Sequence, residues 1–316
     1  MKLRMKVTIG TRGSPLALWQ ARHVAARVRR AHPELEVELA IIKTQGDKIL
    51  DTPLALIGGK GLFTKEIEEA LLDRRVDLAV HSMKDLPTEL PDGLQLTAVL
   101  KREDPRDVFV SGNGQTLDQL APGSRIGTSS LRRKAFLLSR FPHLEIEPIR
   151  GNVDTRLNKI HTLNLAGAVL AAAGIKRMEF SDRITSFLDP DLMIPAIGQG
   201  AMGVETRTND PVVEEVVRGL NHPETEFCVQ VERAFLRRMG GGCQVPMAAH
   251  AIMTGDGADV VAAVVHPDGN PSVKGTIQGP LGDVAMGTRL ADGLIAEGAD
   301  TILRQVLGAD WSPGPA

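Results

Sequence analysis

Short apolar runs and amphipathic stretches alternate along the first two-thirds of the chain. An apolar run at residues 7–9 opens this pattern, and a second run at residues 76–80 has the length of a buried strand. Between them, apolar side chains recur at helical spacing, at Ala17, Ala21, Val24 and Val28. Ser14 followed by Pro15 is a typical helix start, because serine caps an exposed backbone N–H group and proline suits the first helical position. The alternation predicts an α/β fold with mostly parallel strands.

The order of strand, turn and helix recurs between residues 125 and 160. We predict a strand and turn at residues 125–130 before a helix over residues 131–138. A further strand at residues 145–149 precedes a helix around residues 153–160. These segments predict a second set of α/β elements.

The pattern changes after about residue 222. Residues 260–265 and 272–277 flank a turn rich in proline and glycine, which predicts an antiparallel hairpin. A closing helix is predicted near residues 291–307, and the tail at residues 311–316 is predicted to be disordered. Residues 221–316 hold six basic and eleven acidic side chains. We therefore predict a separate, acidic C-terminal α+β domain.

Composition narrows the class of protein. The 316 residues are enough for two or three domains, and 42% apolar with 24% charged side chains is typical of a globular chain. The two cysteines cannot form a disulfide framework, and neither lies in a zinc-binding pattern, so we expect a reduced, intracellular protein without a metal site. The N-terminus has no apolar core of a signal peptide, and the longest apolar run, residues 165–175, is too short to span a bilayer.

The net charge of −2 conceals a local excess of basic residues. Residues 121–160 hold eight basic and three acidic side chains. Arg132 and Arg133 fall in the first turn of a predicted helix, where the helix dipole disfavours unpaired cations and a bound anion would relieve the conflict. Arginines recur at two other helix starts, at Arg150 with Arg156 and at Arg12 with Ser14. A single arginine is more often a solvated surface residue, but the repetition favours a cleft that binds several carboxylates or phosphates.

Two short segments have the residue types for chemistry. Lys84 and Asp85 directly follow a predicted strand, where an aspartate can stabilise a cation or relay a proton and a lysine can pair with a substrate carboxylate. An exposed Lys/Asp turn is the alternative. Cys243 follows three glycines and is a candidate for covalent attachment or nucleophilic attack, whereas Cys228 is expected to be a core residue.

Two glycine motifs do not indicate nucleotide binding. Residues 198–203 fit the spacing G-x-G-x-x-G, but a strand-like segment follows instead of a helix. Residues 58–61 lack the spacing and the hydroxyl residue of a phosphate-binding loop. We interpret residues 58–61 as a mobile glycine loop that carries one cation, part of a lid with residues 43–47.

Seven segments of the chain resemble the porphobilinogen deaminase (hydroxymethylbilane synthase) family, and they follow the family's order. They are residues 10–20, 58–63, 81–88, 127–134, 150–156, 195–200 and 241–246. The resemblance implies a transferase of tetrapyrrole (haem) biosynthesis, which joins four porphobilinogen molecules head to tail and releases ammonia at each step. Hydrolysis then releases hydroxymethylbilane, which passes to uroporphyrinogen-III synthase.

The resemblance also implies a dipyrromethane cofactor held by a thioether to Cys243, with Asp85 as the catalytic carboxylate. The residues implied to bind the cofactor are Cys243, Lys84, Asp85, Thr128, Ser129, Arg132, Arg133, Arg150 and Gln199. Those implied to bind substrate are Arg12, Ser14, Arg150, Arg156 and Arg177. Lys60 and Phe63 would lie at the mobile loop and the cleft. Leu56 stands where many members carry a lysine, and Thr206 replaces a cysteine of some members.

The implied fold has two α/β domains like those of type II periplasmic binding proteins, placed around a cleft, and a smaller C-terminal α+β domain. The expected boundaries are 1–103 with 196–218 for the first domain, 104–195 for the second and 219–316 for the third. A cytoplasmic monomer that binds neither nucleic acid nor membrane is expected.

Two other classes of protein share some of these features. A non-catalytic anion-binding or regulatory protein of the binding-protein type would need neither Asp85 nor the glycine-rich loop before Cys243, and an exported form would carry a signal peptide. A nucleic-acid binder would use the basic cluster at residues 121–160. Near-neutral net charge and few aromatic residues for base stacking argue against it.

Overall fold

The computed structural model describes residues 6–48, 61–240 and 245–315. Its strands in chain order are β1 (Lys6–Thr11), β2 (Glu36–Ile41), β3 (Leu78–Ser82), β4 (Leu94–Val99), β5 (Asp107–Ser111), β6 (Arg125–Gly127), β7 (Glu145–Glu147), β8 (Gly167–Ala171), β9 (Ser186–Phe187), β10 (Met202–Arg207), β11 (Met247–Thr254), β12 (Gly257–Val265) and β13 (Ser272–Pro280). Its α-helices are α1 (Pro15–Ala31), α2 (Gln45–Lys48), α3 (Lys65–Leu72), α4 (Leu131–Arg140), α5 (Val153–Thr162), α6 (Ala172–Arg177), α7 (Pro211–Arg218), α8 (Pro223–Arg238), α9 (Met286–Leu294) and α10 (Asp300–Leu307).

The chain divides into two compact units. The first unit comprises Met1–Glu103 and Ala201–Glu226, and the second comprises Asp104–Gly200 and Phe227–Ala316. The first sheet, in the order β2-β1-β3-β10-β4, lies in the first unit. The sheet β7-β6-β8-β5-β9 and the three-stranded sheet β11-β12-β13 lie in the second. The three domain boundaries expected from the resemblance stay a prediction.

Both five-stranded sheets are mixed. In the first sheet β1 runs parallel to β2 and β3, but β10 is antiparallel to both of its neighbours. In the second, β6 runs parallel to β7 and β8, whereas β5 is antiparallel to β8 and β9. In each sheet four of the five strands therefore run in the same direction, and only β10 or β5 runs against them. The α/β class with mostly parallel strands and a smaller C-terminal α+β domain is thus confirmed.

The start of α1 follows from its sequence. The Ser14 hydroxyl accepts a hydrogen bond from the backbone N–H of Ala17, at 3.4 Å, and Pro15 is the first helical residue, as predicted. The apolar face of α1 packs on the first sheet through Val24 and Val28, both fully buried. The helix thereby fixes the chain that leaves β1 against the sheet.

The C-terminal sheet is antiparallel throughout, and the predicted hairpin is β12 with β13. The predicted closing helix is interrupted, since α9 ends at Leu294 and a π-helical turn separates it from α10. Gly298 lies in that turn with φ of 103°, a conformation that glycine adopts without strain.

The prediction of a disordered C-terminal tail is wrong. Trp311 is buried, and its indole N–H donates to the carbonyl of Met239 at 3.1 Å. Arg238 donates to the carbonyl of Gly314 at 2.6 Å, and the N–H of Gly314 donates back to the carbonyl of Arg238. The composition of the tail suggested disorder, but one large aromatic side chain and these hydrogen bonds attach it to the end of α8.

Within residues 6–48, 61–240 and 245–315, every helix is too short or too polar to cross a lipid bilayer.

Candidate active site

Asp85 lies in a short 3₁₀ turn, Met83–Asp85, that continues directly from β3. Met83 is buried, and its N–H donates to the carbonyl of Ala201 at 3.1 Å. Leu86 is also buried, whereas Lys84 is half-buried and Asp85 is exposed. Two apolar anchors thus hold a turn that presents an acidic and a basic side chain.

Polar contacts fix the end of β3 on both faces of the sheet. Successive side chains of a strand point to opposite faces, so His81 and Ser82 diverge. The amide of Gln20, on α1, donates to the Ser82 hydroxyl at 2.9 Å. On the other face, His81 Nε2 lies 2.9 Å from Glu205 Oε2 on β10, and both side chains are buried.

Arg12, which follows β1, has a carboxylate partner within its own unit. Its Nε and Nη2 donate to Asp47 Oδ1 at 3.1 and 2.5 Å. The guanidinium also stacks on the Phe63 ring, 4.1 Å from the ring centre. Burial alone would raise the pKa of Asp47, but the hydrogen bonds and charge of Arg12 outweigh it and hold that pKa below its ordinary value. Two predicted site residues, Arg12 and Phe63, therefore lie together.

In the second unit, the predicted hydroxyl residues form the turn between β6 and α4. Ser130 caps α4, since its Oγ accepts from the N–H of Arg133 at 3.4 Å. Thr128 is buried and its Oγ1 accepts from the N–H of Ser130 at 3.2 Å. Ser129 is exposed and donates to the carbonyl of Ile149 at 2.8 Å. The turn thus holds one exposed hydroxyl at a helix N-terminus.

Arg132 and Arg133 share one buried carboxylate, Asp107, at the start of β5. Arg132 Nη2 donates to Oδ2 at 2.7 Å, and Arg133 Nε and Nη2 donate to Oδ1 at 3.0 and 2.8 Å. Arg132 also donates to the carbonyl of Ile194, and Arg133 to that of Val169. Asp107 thus supplies, from within the protein, an anion that relieves the conflict predicted at this helix start. The assignment of the two arginines to cofactor binding stays a prediction.

The charge of this group is only partly balanced. Two guanidinium groups against one carboxylate leave an excess of one positive charge in a buried place. Burial alone would raise the pKa of Asp107, but the two arginines outweigh it and hold that pKa below its ordinary value. Burial, together with the like charge of Arg133, lowers the pKa of Arg132. The group therefore favours a further anion in its vicinity.

Gln199 joins the same group. Its amide donates to Asp107 Oδ1 at 3.0 Å and to the carbonyl of Pro105 at 2.7 Å. Gly200 directly follows Gln199 in the chain, and its carbonyl accepts a hydrogen bond from the buried Arg177 at 2.7 Å. Four predicted residues of the second unit, Arg132, Arg133, Arg177 and Gln199, are thus held by internal hydrogen bonds.

The other two predicted site arginines of this unit, Arg150 and Arg156, are half-buried. Arg156 Nε donates to the carbonyl of Gly151 at 2.8 Å, directly before α5. Two predicted site residues, Cys243 and Lys60, lie outside the described residues, as does Leu56. Cys228 is buried in the core of the second unit, as predicted.

Sequence reasoning missed the three carboxylates that hold these groups, namely Asp47, Asp107 and Glu205. The buried role of Asp107 could have been suspected from its position, since it directly precedes the apolar segment 108–110. Thr206 was noted as a departure from the family, and its buried hydroxyl lies 2.6 Å from that of Thr97. The segment 198–203 runs into β10, which confirms that no dinucleotide-binding helix follows it.

The donor set suits a ligand with carboxylate groups. Guanidinium groups bind carboxylates with two parallel hydrogen bonds, and a helix N-terminus with a hydroxyl beside it favours the same anions. The excess positive charge of Arg132 and Arg133 over Asp107 and the N-terminus of α4 meet both conditions, and the Ser129 hydroxyl can take part once it releases the carbonyl of Ile149. A dipyrromethane with acetate and propionate side chains fits these residues.

Comparison with solved structures gives only weak similarity. A methionine-binding protein, MetQ, covers 70% of this chain and 92% of its own at 13% identity, with a TM-score of 0.44. The effector-binding domain of BenM with benzoate covers 70% of this chain and 97% of its own at 16% identity, with a TM-score of 0.40. We therefore take the fold from the strand order itself.

Sequence comparison is decisive. Residues 7–215 match the family model for the porphobilinogen deaminase dipyromethane cofactor binding domain, and residues 226–296 match that for the porphobilinogen deaminase C-terminal domain. A porphobilinogen deaminase of Geobacter sulfurreducens is 52% identical over 302 residues, 95% of both chains. One from Trichlorobacter lovleyi is 52% identical over 95% of this chain and 96% of its own. With an aspartate turn after β3 and carboxylate-binding groups in the second unit, this chain belongs to the porphobilinogen deaminase family.

Proposed function

We propose that this protein is a hydroxymethylbilane synthase, a transferase that joins four porphobilinogen molecules head to tail. The observation that carries the proposal is the Lys84–Asp85 turn, held by buried residues in a chain that matches both family models. In this proposal the enzyme is a cytoplasmic monomer, and its product passes to uroporphyrinogen-III synthase.

Asp85 has the chemistry that the bond-forming step requires. The C–N bond of the substrate's aminomethyl group breaks, ammonia leaves, and the methylene carbon becomes electron-poor. An exposed carboxylate beside the pyrrole N–H stabilises that positive charge. The carbon that forms the new bond then loses its proton, and Asp85 can accept or relay it.

Lys84 and the arginines would bind the substrate's carboxylates. Each porphobilinogen carries an acetate and a propionate, so every addition brings two negative charges. Arg150 and Arg156 are half-buried at the start of α5, and Arg177 lies beside the carbonyl of Gly200. Ser14 lies at the N-terminus of α1, which also favours a carboxylate.

Arg12 would bind substrate by exchanging partners. Asp47 now holds its guanidinium, and both side chains are about a quarter exposed. An incoming carboxylate can replace Asp47 without leaving the guanidinium unpaired. Phe63 would keep the guanidinium plane in place during the exchange, since it stacks on its face. Lys60, in the glycine loop of residues 58–61, would add a further cation for the substrate carboxylates.

The dipyrromethane cofactor would be attached to Cys243. When bound, it supplies the terminal pyrrole carbon to which the first substrate is joined. Arg132, Arg133 and Gln199, which share Asp107, would hold its carboxylates together with Ser129 and Thr128. Their internal hydrogen bonds fix these donors before the ligand arrives, which reduces the entropy lost on binding.

The test combines intact mass with turnover. The purified protein should carry a covalent dipyrromethane that is absent from Cys243→Ser, while Cys228→Ser, the matched control, retains it. Asp85→Ala should fold with the adduct in place and form hydroxymethylbilane at least about 100-fold more slowly, the size expected for loss of a general acid–base group.

Two results would overturn the proposal. An active wild-type protein of unmodified mass would exclude the covalent cofactor. Near-normal hydroxymethylbilane formation by Asp85→Ala would exclude the role of that carboxylate.

A further inference from the structure

A buried histidine–glutamate pair lies directly before the Asp85 turn. His81 is 6% exposed and Glu205 is fully buried, and His81 Nε2 lies 2.9 Å from Glu205 Oε2. Ala79 of β3 lies opposite Glu205 and packs in one apolar cluster with Ile67 and Ala70 of α3, while Glu68 of α3 is a nearby ionisable group. The pair is therefore shielded from solvent.

Stability alone is a poor explanation for such a pair. Moving ionisable groups out of water costs free energy, and apolar residues of similar size often stabilise a core at least as well. The second oxygen of Glu205, Oε1, is buried without a hydrogen-bond partner among the described residues. The arrangement thus gives up part of the possible stabilisation, which points to a role other than stability.

The backbone around the pair connects it to the turn. In the antiparallel pairing of β3 with β10, His81 lies opposite Gly203 and Ser82 lies opposite Met202. The N–H of Met83 then donates to the carbonyl of Ala201, at 3.1 Å. The end of β3 and the start of the turn thus take their position from β10.

Gly203 brings the turn and β10 into close contact. A Cβ atom at Gly203 would lie 2.4 Å from Met83 Sδ and 2.7 Å from Leu96 Cδ1, so Met83 packs against the bare backbone of β10. The Glu205 side chain on β10 and the His81 side chain on β3 cross-link the two strands within two residues of this contact. A slip of β3 along β10 would move Asp85.

We infer that Glu205 is a positioning residue, which through His81 fixes β3 against β10 and so sets the place of Asp85. This inference rests on the proposed function for its effect on turnover, but the geometric part does not depend on activity. Small displacements of a reacting group by about 1 Å can cost about 100-fold in rate. Glu205 and His81 touch neither substrate nor cofactor in this scheme.

Glu68 of α3 is the third ionisable group of this region. Burial raises its pKa, and the nearby charge of Glu205 adds to the rise, whereas the neighbouring Thr64 side chain and the charge of His81 oppose it. Glu68→Gln removes this carboxyl group without touching the link between β3 and β10. It serves as a local control.

The test uses Glu205→Gln, which keeps the size of the side chain, and His81→Gln as a second variant. Both should retain the cofactor mass, while kcat for hydroxymethylbilane falls by about 10- to 100-fold and KM stays within about twofold, since the transition-state contact is affected. In an Asp85→Glu background, the loss caused by Glu205→Gln should shrink to about threefold or less, because two changes acting through one group are not additive.

Hydrogen exchange gives a readout that needs no activity. In Glu205→Gln the backbone amides of residues 83–86 should exchange at least about tenfold faster, whereas those of β1 stay unchanged. Asp77→Asn is the matched control, since the buried Asp77 accepts from Arg207 of β10 and so links the same two segments, but at the end of β3 remote from the turn. It should lower stability without changing kcat or exchange in residues 83–86, and Glu68→Gln should leave both unchanged.

Unchanged exchange at residues 83–86 in both variants would overturn the inference whatever the turnover. So would a full additive loss of kcat in the Asp85→Glu background. Failure of the proposed function is a different result, namely a wild-type protein that forms no hydroxymethylbilane, and the exchange experiment still decides the positioning role in that case.

Discussion

Removing the Asp107 carboxylate should strongly destabilise the second unit. Asp107 accepts hydrogen bonds from Arg132, Arg133 and Gln199, and none of these side chains is more than 8% exposed. In Asp107→Asn the charge is lost, one oxygen becomes an NH₂ group facing donors, and two buried guanidinium groups stay without a counter-ion. Breaking a buried ion pair from one side costs about 3–5 kcal/mol. That loss is a large fraction of the about 5–15 kcal/mol that stabilises a typical domain.

The assay can be confined to the correct unit, because the chain has two tryptophans and each unit holds one. In a Trp19→Phe background, Trp311 fluorescence follows the unit that contains Asp107. With a urea dependence of about 3 kcal/mol per molar, the midpoint of Asp107→Asn should fall by about 1–1.7 M. Asp104→Asn is the matched control. Asp104 pairs with Arg106 and Lys176, whose side chains are more than a third exposed, so its loss should cost about 2 kcal/mol or less, below the loss expected for Asp107.

The pH dependence provides a second check on the same carboxylate. The pKa of Asp107 is lowered in the folded state, so its stabilisation is complete above the ordinary value of about 3.9 and is lost as pH falls through the folded value. The difference between wild type and Asp107→Asn should therefore be constant from pH 5 to 8 and shrink in stronger acid. A urea midpoint of Asp107→Asn within about 0.3 M of wild type at pH 7 would refute this reasoning.

Three further predictions concern other groups. Because the pKa of Glu68 is raised in the folded protein, its stabilising contribution is complete below the ordinary pKa value and is lost as pH rises. Glu68→Gln should therefore unfold at a higher urea concentration than wild type at pH 8 and at the same concentration at pH 4. Asp47→Asn should lower KM for porphobilinogen by about 1.5- to 5-fold, because a partly exposed ion pair worth about 0.2–1 kcal/mol no longer competes for Arg12, and an increase in KM from steady-state rates would contradict this. Trp311→Ala should lose about 3 kcal/mol in urea unfolding, and a loss under about 1 kcal/mol would show that the tail does not contribute to the core.

The sequence predicted those structural features whose interacting residues lie close together in the chain. Ser14 and Pro15 predicted the start of α1 because cap and first turn are adjacent. The hairpin of β12 and β13 was predicted because its turn residues separate two apolar runs. The Asp85 turn was placed correctly after a strand, although the apolar run gave no sign that His81 and Ser82 belong to that strand.

Non-local pairing accounts for most of what was missed. Arg132 and Arg133 find their counter-ion 25 and 26 residues away, and His81 finds Glu205 at a separation of 124 residues. No spacing rule along the chain connects such partners. For the C-terminal tail, the prolines and glycines led to an incorrect prediction of disorder. Trp311 supplies enough buried apolar surface to hold the tail against the core. The roles of Cys243 and Lys60 remain predictions from the family resemblance.

The place of β10 has a consequence for synthesis of the chain. This strand lies between β3 and β4, yet more than one hundred residues separate it from β4, and the whole β5–β9 sheet is encoded in that interval. While the ribosome makes residues 104–200, β3 and β4 expose unpaired edges that can associate with other chains. The second sheet can close before the first one is complete. Cells that make this protein rapidly should therefore depend on chaperones during that interval.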